Sequence, residues 1–253
     1  MTLKVLVVCK NQEGGEEAKT CKIIKQEGVE VSYAWKNTLT SAELKNADII
    51  VAIGGDGTVL SAAHYIMDKP LLAVNSSPDR SVGALTSITL SELAEKLEEI
   101  KKGKYREEKL ERMEVFINGK KLDVLALNDV FLGSEKPYHP SKYEIVFNGK
   151  KEKQISSGLI FSTGTGSTAW FHSARGKPFS PQEKFIKMIV REPYKSKFYH
   201  PTILDLKIQE KEEIEIVSLT DSILAVDSIR EFALKTGDKV KIKISLHPLR
   251  RII

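Results

Sequence analysis

The chain has 253 residues, 41% of them hydrophobic and 29% charged, with a formal net charge of +5. That length admits one large domain or two modest ones, with a core that needs no staples, and no apolar run approaches the roughly 20 residues of a membrane helix. Lysine and arginine are interleaved with glutamate, as in EKLEEIKKGKYREEKLER, so the mild positive charge suits small anionic ligands such as nucleotides rather than nucleic acid or a membrane surface.

In chain order, KVLVVC (4–9) is a compact apolar run that predicts a buried strand. The opening MTLKVLVVCKNQEGG reads as that strand rather than as a leader, so a cytoplasmic location is expected. GGEEAKTCKIIKQEG (14–28) has helical spacing, with Ala18, Cys21 and Ile24 on one face and Gly28 to close it. VEVSYAW (29–35) alternates as a strand. SAELKNA (41–47) predicts a short helix with Ser41 as N-cap. DIIVAI is a buried strand, TVLSAAHYIM a helix, PLLAVN a strand, and SELAEKLEEIKKG an amphipathic helix ending at a glycine. This alternation predicts an α/β domain over residues 1–104, a parallel sheet covered by helices.

The pattern changes after residue 104. KLERMEVFINGKKLDVLALNDVFL and KYEIVFNGKKEKQISSGLIFST each predict strands around an Asn-Gly turn. ILDLKIQ, EIEIVSL, SILAVDS and KVKIKIS are further alternating strands. Residues 105–253 are thus expected to form a second, mostly antiparallel β domain, with the last ten or so residues able to pack back on the first. A ligand cleft is expected at such a junction. Cys9 and Cys21 show no metal or disulfide spacing, and no two of the five histidines stand at i,i+4.

Three stretches carry chemistry. In GGDGT, Gly54, Gly55 and Gly57 follow a buried strand and precede a helix, where backbone N–H groups and the helix dipole favour an anion. No lysine follows, so this is not the common lysine-bearing phosphate loop. Asp56 inside it repels phosphate unless a metal lies between them or the carboxylate takes a proton from an attacking hydroxyl. A tight turn without ligand is the plainer alternative. The second stretch, SSGLIFSTGTGSTAWFHSARG (156–176), combines glycines with hydroxyls that include Thr165 and Ser167, and adds Trp170, whose ring can stack on a base. A polar β-loop is its plainer reading. The third, ALNDVFL (126–132), places Asn128 and Asp129 in an apolar strand, where they need partners from a ligand or from the hairpin itself. Arg80 and Arg191 are lone arginines in loop contexts, suited to phosphate or to a surface ion pair.

Taken in this order, GGDGT, the Asn128-Asp129 pair and TGSTAW with the following Ser173 resemble the NAD kinases. NSSPDRSVGAL (75–85), ALNDVFLGS (126–134), SSGLIFSTGTGSTAW (156–170) and IVREP (189–193) make the likeness closer to the mitochondrial-type branch than to the common bacterial one. The resemblance implies an NAD-kinase-like fold, a Rossmann-like α/β N-terminal domain and a mostly antiparallel β C-terminal one. It implies transfer of the γ-phosphoryl group of ATP, or of another donor, to the 2′-hydroxyl of the adenosine ribose of NAD. Asp56 matches the aspartate that activates that hydroxyl or helps place Mg²⁺ or another divalent metal. Gly54, Gly55, Gly57 and Thr58 would shape the phosphate site, and Asn128, Asp129, Thr168, Ala169, Trp170 and Ser173 match the residues that contact NAD. Beyond the resemblance, Ser157, Thr165 and Ser167 are expected beside them at NAD, Arg80 at the phosphate and Arg191 at NAD. A homodimer or homotetramer is implied as well. This chain departs from the family pattern at Ser157-Gly158, Ser173-Ala174-Arg175-Gly176 and Asp227-Ser228, where Asp-Gly, Ser-Ala-Gly-Gly and Asp-Gly are usual. A lipid kinase that shares GGDGT, or a silent nucleotide-binding module, are the alternatives.

Overall fold

The computed structural model describes residues 2–10, 28–79 and 83–253. The body of the helix expected over 14–28, with Cys21, lies outside them, and so does Arg80. The chain divides into two compact units, residues 1–109 with 249–253, and residues 110–248.

In the first unit, strands β1 (Leu3–Cys9), β2 (Val29–Trp35), β3 (Ile49–Gly54), β4 (Pro70–Asn75), β5 (Ile88–Thr89) and β6 (Glu107–Leu110) form one sheet with a strand from Leu249–Ile252. The order is β2-β1-β3-β4, then Leu249–Ile252, then β6, with β5 on β4. β1 runs parallel to β2 and β3, and β4 parallel to β3, β5 and Leu249–Ile252. β3 and β4 are buried at every position, which is why their sequences run apolar instead of alternating. Helix α1 (Asp56–Ala63) follows β3, and helix α2 (Leu93–Lys101) buries Leu93, Leu97 and Ile100, the i, i+4, i+7 stripe. A turn of 3₁₀ helix, Leu90–Glu92, leads into α2, with Thr89 and Glu92 forming a capping box.

SAELKNA is not a helix. Residues 41–46 are successive turns, with i→i+3 bonds from Lys45 to Ala42 and from Ala47 to Leu44. Thr40, not Ser41, takes the cap position, accepting the Ala42 N–H while Glu43 accepts the Thr40 N–H. Seven residues ending in Asn46-Ala47 give too few bonds to offset helix nucleation.

The second unit holds strands β7 (Met113–Ile117), β8 (Lys120–Lys121), β9 (Asp129–Gly133), β10 (Ser141–Phe147), β11 (Lys150–Ser156), β12 (Leu159–Ser162), β13 (Phe185–Val190), β14 (Asp205–Gln209), β15 (Glu213–Ser218), β16 (Ser222–Val226), β17 (Arg230–Leu234) and β18 (Lys239–Ile244). They form two antiparallel sheets, ordered β11-β10-β15-β18-β7-β8 and β14-β13-β12-β9-β16-β17. Both Asn-Gly turns are present: Asn118 and Gly119 have φ of 51° and 80°, Asn148 and Gly149 of 47° and 78°. These are the left-handed pairs that a two-residue hairpin with right-handed twist requires. The first hairpin is shorter than its sequence suggests, because β8 has only two residues. ALNDVFL enters β9 of the other sheet instead of extending that hairpin, and GLIFS does the same as β12.

One consequence of the turn chemistry is measurable. Asp227 and Ser228, between β16 and β17, have φ of 50° and 54°. Glycine is the residue that adopts such angles without a Cβ clash. Ser228→Gly is therefore expected to raise stability by about 0.5–1 kcal/mol, read as a higher urea midpoint. No helix among the described residues is long and apolar enough to cross a membrane.

Candidate functional site

The glycine turn closes β3 and opens α1. Gly54 has φ +157°, and a Cβ there would lie 2.4 Å from Thr58 Oγ1, so this glycine is dictated by the turn itself. Gly55 is the N-cap; its carbonyl accepts the Thr58 N–H at 2.9 Å. Gly57 is exposed, and a Cβ there would meet nothing within 4 Å. Packing within the chain does not require it. Thr58 is buried, 2% exposed, and faces protein. Asp56 occupies the first helical position, where the helix dipole favours a carboxylate. Its two oxygens accept the Leu85 N–H at 2.9 Å and the Ala84 N–H at 3.3 Å. The loop around residue 84 thereby fixes its rotamer.

The second unit gathers most of the other predicted residues around the start of β9. The loop after β12 lies directly on the Asn128 backbone. The Thr163 N–H donates to Asn128 O at 3.0 Å, and a Cβ on Gly166 would stand 2.2 Å from that oxygen. Gly164 is equally constrained, with Ser180 O 2.0 Å from a Cβ position. Three side-chain oxygens here are buried without a hydrogen-bond partner: Asn128 Oδ1, Asp129 Oδ1 and Thr165 Oγ1. An unpaired buried acceptor costs about 1–3 kcal/mol, so three such oxygens on neighbouring segments single this region out as a candidate binding site.

Asp129 is itself displaced. Burial, and then the charge of Asp227, push its carboxyl from 3.8 up to about 7. The folded chain therefore keeps a proton that an unfolded aspartate releases near pH 4. Stability from this group falls as pH rises from about 4 to about 7 and is level above. Asp129→Asn abolishes that slope. Between pH 4.5 and 8 the wild-type Tm is expected to fall relative to the Asn variant by several degrees, measured by thermal scans of both at each pH.

Asp227 is the anchor that sequence inspection missed. Its carboxylate accepts the N–H groups of Leu127, Asn128 and Asp129 at 2.8, 2.8 and 2.9 Å. Its own N–H donates to Asp129 O at 2.9 Å. A carboxylate at the end of an apolar strand, SILAVD, was the available signal.

The aromatic part of the site forms beside this. Asp129 and Phe131 project from one face of β9. The Phe131 ring meets Trp170 with centroids 5.1 Å apart and planes tilted by 38°. The Arg191 guanidinium lies 5.4 Å from the Trp170 centroid and 5.9 Å from that of Phe131, within cation–π reach, and Glu192 approaches it at 3.6 Å. Ser157 N–H donates to Arg191 O at 3.0 Å. Ser157, Trp170, Arg191 and Ser228 share a pocket of about 320 Å³. Thr168 and Ala169 are exposed on the turn before helix α3 (Trp170–Ser173). Ser173 is exposed too, its hydroxyl donating to Ala169 O at 3.3 Å. Ser167 differs from expectation. It is fully buried, its hydroxyl held between Gly164 O at 2.7 Å and Phe179 O at 2.9 Å while accepting the Phe179 N–H at 3.0 Å. Its hydroxyl is committed to holding the loop.

Among the described residues no group of three or more His, Cys, Asp or Glu side chains could hold a metal. A divalent ion here would have to arrive with phosphate and use a lone carboxylate, which is the usual habit of Mg²⁺ and fits Asp56.

An α/β unit with a carboxylate-bearing glycine turn thus precedes an antiparallel β unit with a polar loop and an aromatic–arginine stack. The ATP-NAD kinase N-terminal domain matches residues 2–105. An NAD kinase of Methanosarcina acetivorans is 31% identical over 212 residues, covering 81% of this chain and 73% of that protein. NAD kinase 2, mitochondrial, of Homo sapiens is 32% identical over 192 residues, 58% of this chain and 43% of that one. The crystal structure of an NAD kinase from Archaeoglobus fulgidus in complex with ATP shares the fold, with TM-score 0.79, 24% identity, and 98% and 93% of the two chains covered. The chain belongs to the NAD kinase family, whose members are phosphotransferases. Membership sets the lipid-kinase alternative aside.

Proposed function

We propose that this chain transfers the γ-phosphoryl group of ATP to the 2′-hydroxyl of the adenosine ribose of NAD, giving NADP. The observation that carries the reading beyond family likeness is the trio of partnerless buried oxygens on Asn128, Asp129 and Thr165. They offer hydrogen-bond capacity that a ribose or a base edge would use. Asp129, holding a proton up to about pH 7, can donate as well as accept. Trp170, flanked by Phe131 and Arg191, offers a face for a base. Ser157, Thr168, Ala169 and Ser173 border the same ligand.

In the first unit, Gly54, Gly55 and Thr58 shape the turn that receives phosphate, and the space above Gly57 lets a phosphoryl group approach the backbone. Arg80 remains our candidate for a further phosphate contact. Asp56 is held by the Leu85 and Ala84 N–H groups, and it accepts the 2′-hydroxyl proton. Mg²⁺ bound with the donor phosphates, and through Asp56, would neutralise charge on the transferred group. Alignment and electrostatics supply most of the rate in such transfers. We further propose that the working form is a homodimer or homotetramer.

The test is direct. Purified chain with ATP, Mg²⁺ and NAD is expected to form NADP, read by an NADP-specific dehydrogenase. No NADP above the protein-free control would leave a silent nucleotide binder. Replacing NAD by NADH, and ATP by inorganic polyphosphate, defines the acceptor and donor ranges.

A further inference from the structure

A second pocket, of about 600 Å³, lies along β13 and β14. Lys187 and Lys207 are direct cross-strand partners there. Like charges in that position destabilise a sheet. Their ammonium groups sit on aromatic faces instead of carboxylates. Lys207 Nζ is 3.8 Å from the Phe185 centroid and Lys187 Nζ 4.9 Å from that of Phe179. The two rings are stacked, 4.8 Å apart with planes 19° from parallel.

The loop after α3 adds two more cations to the same pocket, Arg175 and Lys177, and Lys187 Nζ reaches Lys177 O at 3.5 Å. Arg175 is held at φ +70°, a conformation that costs a non-glycine residue energy and tends to mark functional loops. Among the described residues none of these four cations forms an ion pair. Lysines on the other sheet behave differently: Lys121 pairs with Glu114 at 2.7 Å and Lys241 with Glu213 at 2.6 Å. The pocket has two carboxylates, Asp205 and Glu192, and Glu192 is already turned to Arg191. Five cations line one concavity with two carboxylates, and with Glu192 turned to Arg191 the other four share only Asp205.

We propose that this pocket binds a small, multiply charged phosphate anion, whose oxygens bridge Lys187 and Lys207 and reach Arg175 and Lys177. The pocket also borders Ser173 and Arg191, which the proposed function gives to NAD, but none of these four cations belongs to the proposed catalytic or NAD-contacting set. The phosphate can be a free oligophosphate or the tail of a nucleotide, and the two sources give different results.

Lysine acylation of the folded chain, followed by mass spectrometry, is run with and without inorganic tripolyphosphate. Lys187 and Lys207 are expected to be protected, while Lys142 and Lys195 react as before. Calorimetric affinity for tripolyphosphate is expected to fall about tenfold or more in K187Q/K207Q and to be retained in K187R/K207R, as loss or retention of two charge-assisted contacts implies. Protection by ATP or NAD at the same occupancy assigns the site to a nucleotide tail. Protection by tripolyphosphate alone assigns it to a free oligophosphate. Unchanged acylation of Lys187 and Lys207 at saturating tripolyphosphate, or equal affinity in wild type and K187Q/K207Q, overturns the proposal. NADP formation is measured on the same samples, and the footprint is repeated in Asp56→Asn. A failed kinase reading then leaves the footprint standing, and a failed anion site leaves turnover standing.

Discussion

Asp56→Asn is expected to lower kcat for NADP formation by about 10²–10⁴-fold, the range that a positioned general base contributes, with KM for either substrate changed little. The substitution keeps shape and removes charge. The substituted amide can still accept the Leu85 N–H through its oxygen, but its NH₂ then faces the Ala84 N–H, so one of two contacts is lost. That costs about 1 kcal/mol, too little to unfold the chain, and a thermal scan separates it from the kinetic loss. A base role predicts that the residual rate rises with pH as hydroxide takes over the proton. A purely metal-placing role predicts instead that added Mg²⁺ restores much of the rate. Near-normal kcat in a folded variant would remove Asp56 from the mechanism.

Asp227→Ala is expected to destabilise the second unit by about 3–5 kcal/mol, the cost of removing one partner of a buried charged pair. Asp227 is 4% exposed and Arg112 is fully buried. Arg112 donates from Nε to His247 O at 2.8 Å. Burial draws the guanidinium down to about 10, and the charges of Asp227 and then Glu111 oppose that shift. Without Asp227 the buried cation loses a counter-charge, and three N–H groups lose their acceptor. These losses share one site and do not add. Asp227→Asn, which keeps an acceptor oxygen, is expected to lose less. Urea unfolding of the three proteins checks the order. A change below about 1 kcal/mol for alanine, the ordinary size of a point substitution, would show that the network is dispensable.

Local signals were legible where one segment sufficed. The alternation of apolar strands and amphipathic helices pointed to the parallel sheet, and Asn118-Gly119 and Asn148-Gly149 marked both hairpin turns. Pairing between sheets was not legible: β9 and β12 read as continuations of hairpins, yet they join a different sheet. SAELKNA misleads because its pattern is helical while its length is too short to nucleate. In the candidate site, Asn128, Asp129 and Thr165 stood out as polar residues in apolar or glycine-rich surroundings, and the structure leaves each with an unsatisfied oxygen. Ser167 has the same composition signal but points inward. Only three-dimensional packing on Phe179 distinguishes the two cases. Asp227 stood out only as a carboxylate ending an apolar strand; the N–H groups it serves lie about 100 residues away, so its partners were not legible locally.

The strand Leu249–Ile252 has a consequence for the order in which this protein matures. Arg251 Nη1 donates to Leu85 O at 3.0 Å, and Ser87 Oγ donates to Ile252 O at 2.6 Å, across 166 and 165 residues of chain. Leu85 is also the residue whose N–H orients Asp56. During synthesis, residues up to 109 emerge with a sheet lacking the strand between β4 and β6, and the intervening 110–248 must be made before it arrives. Such non-local closure is slow, so the nascent first unit exposes unpaired strand edges that invite chaperones or misassembly. The brace on the loop that holds the Asp56 carboxylate therefore waits until residues 249–252 have been made.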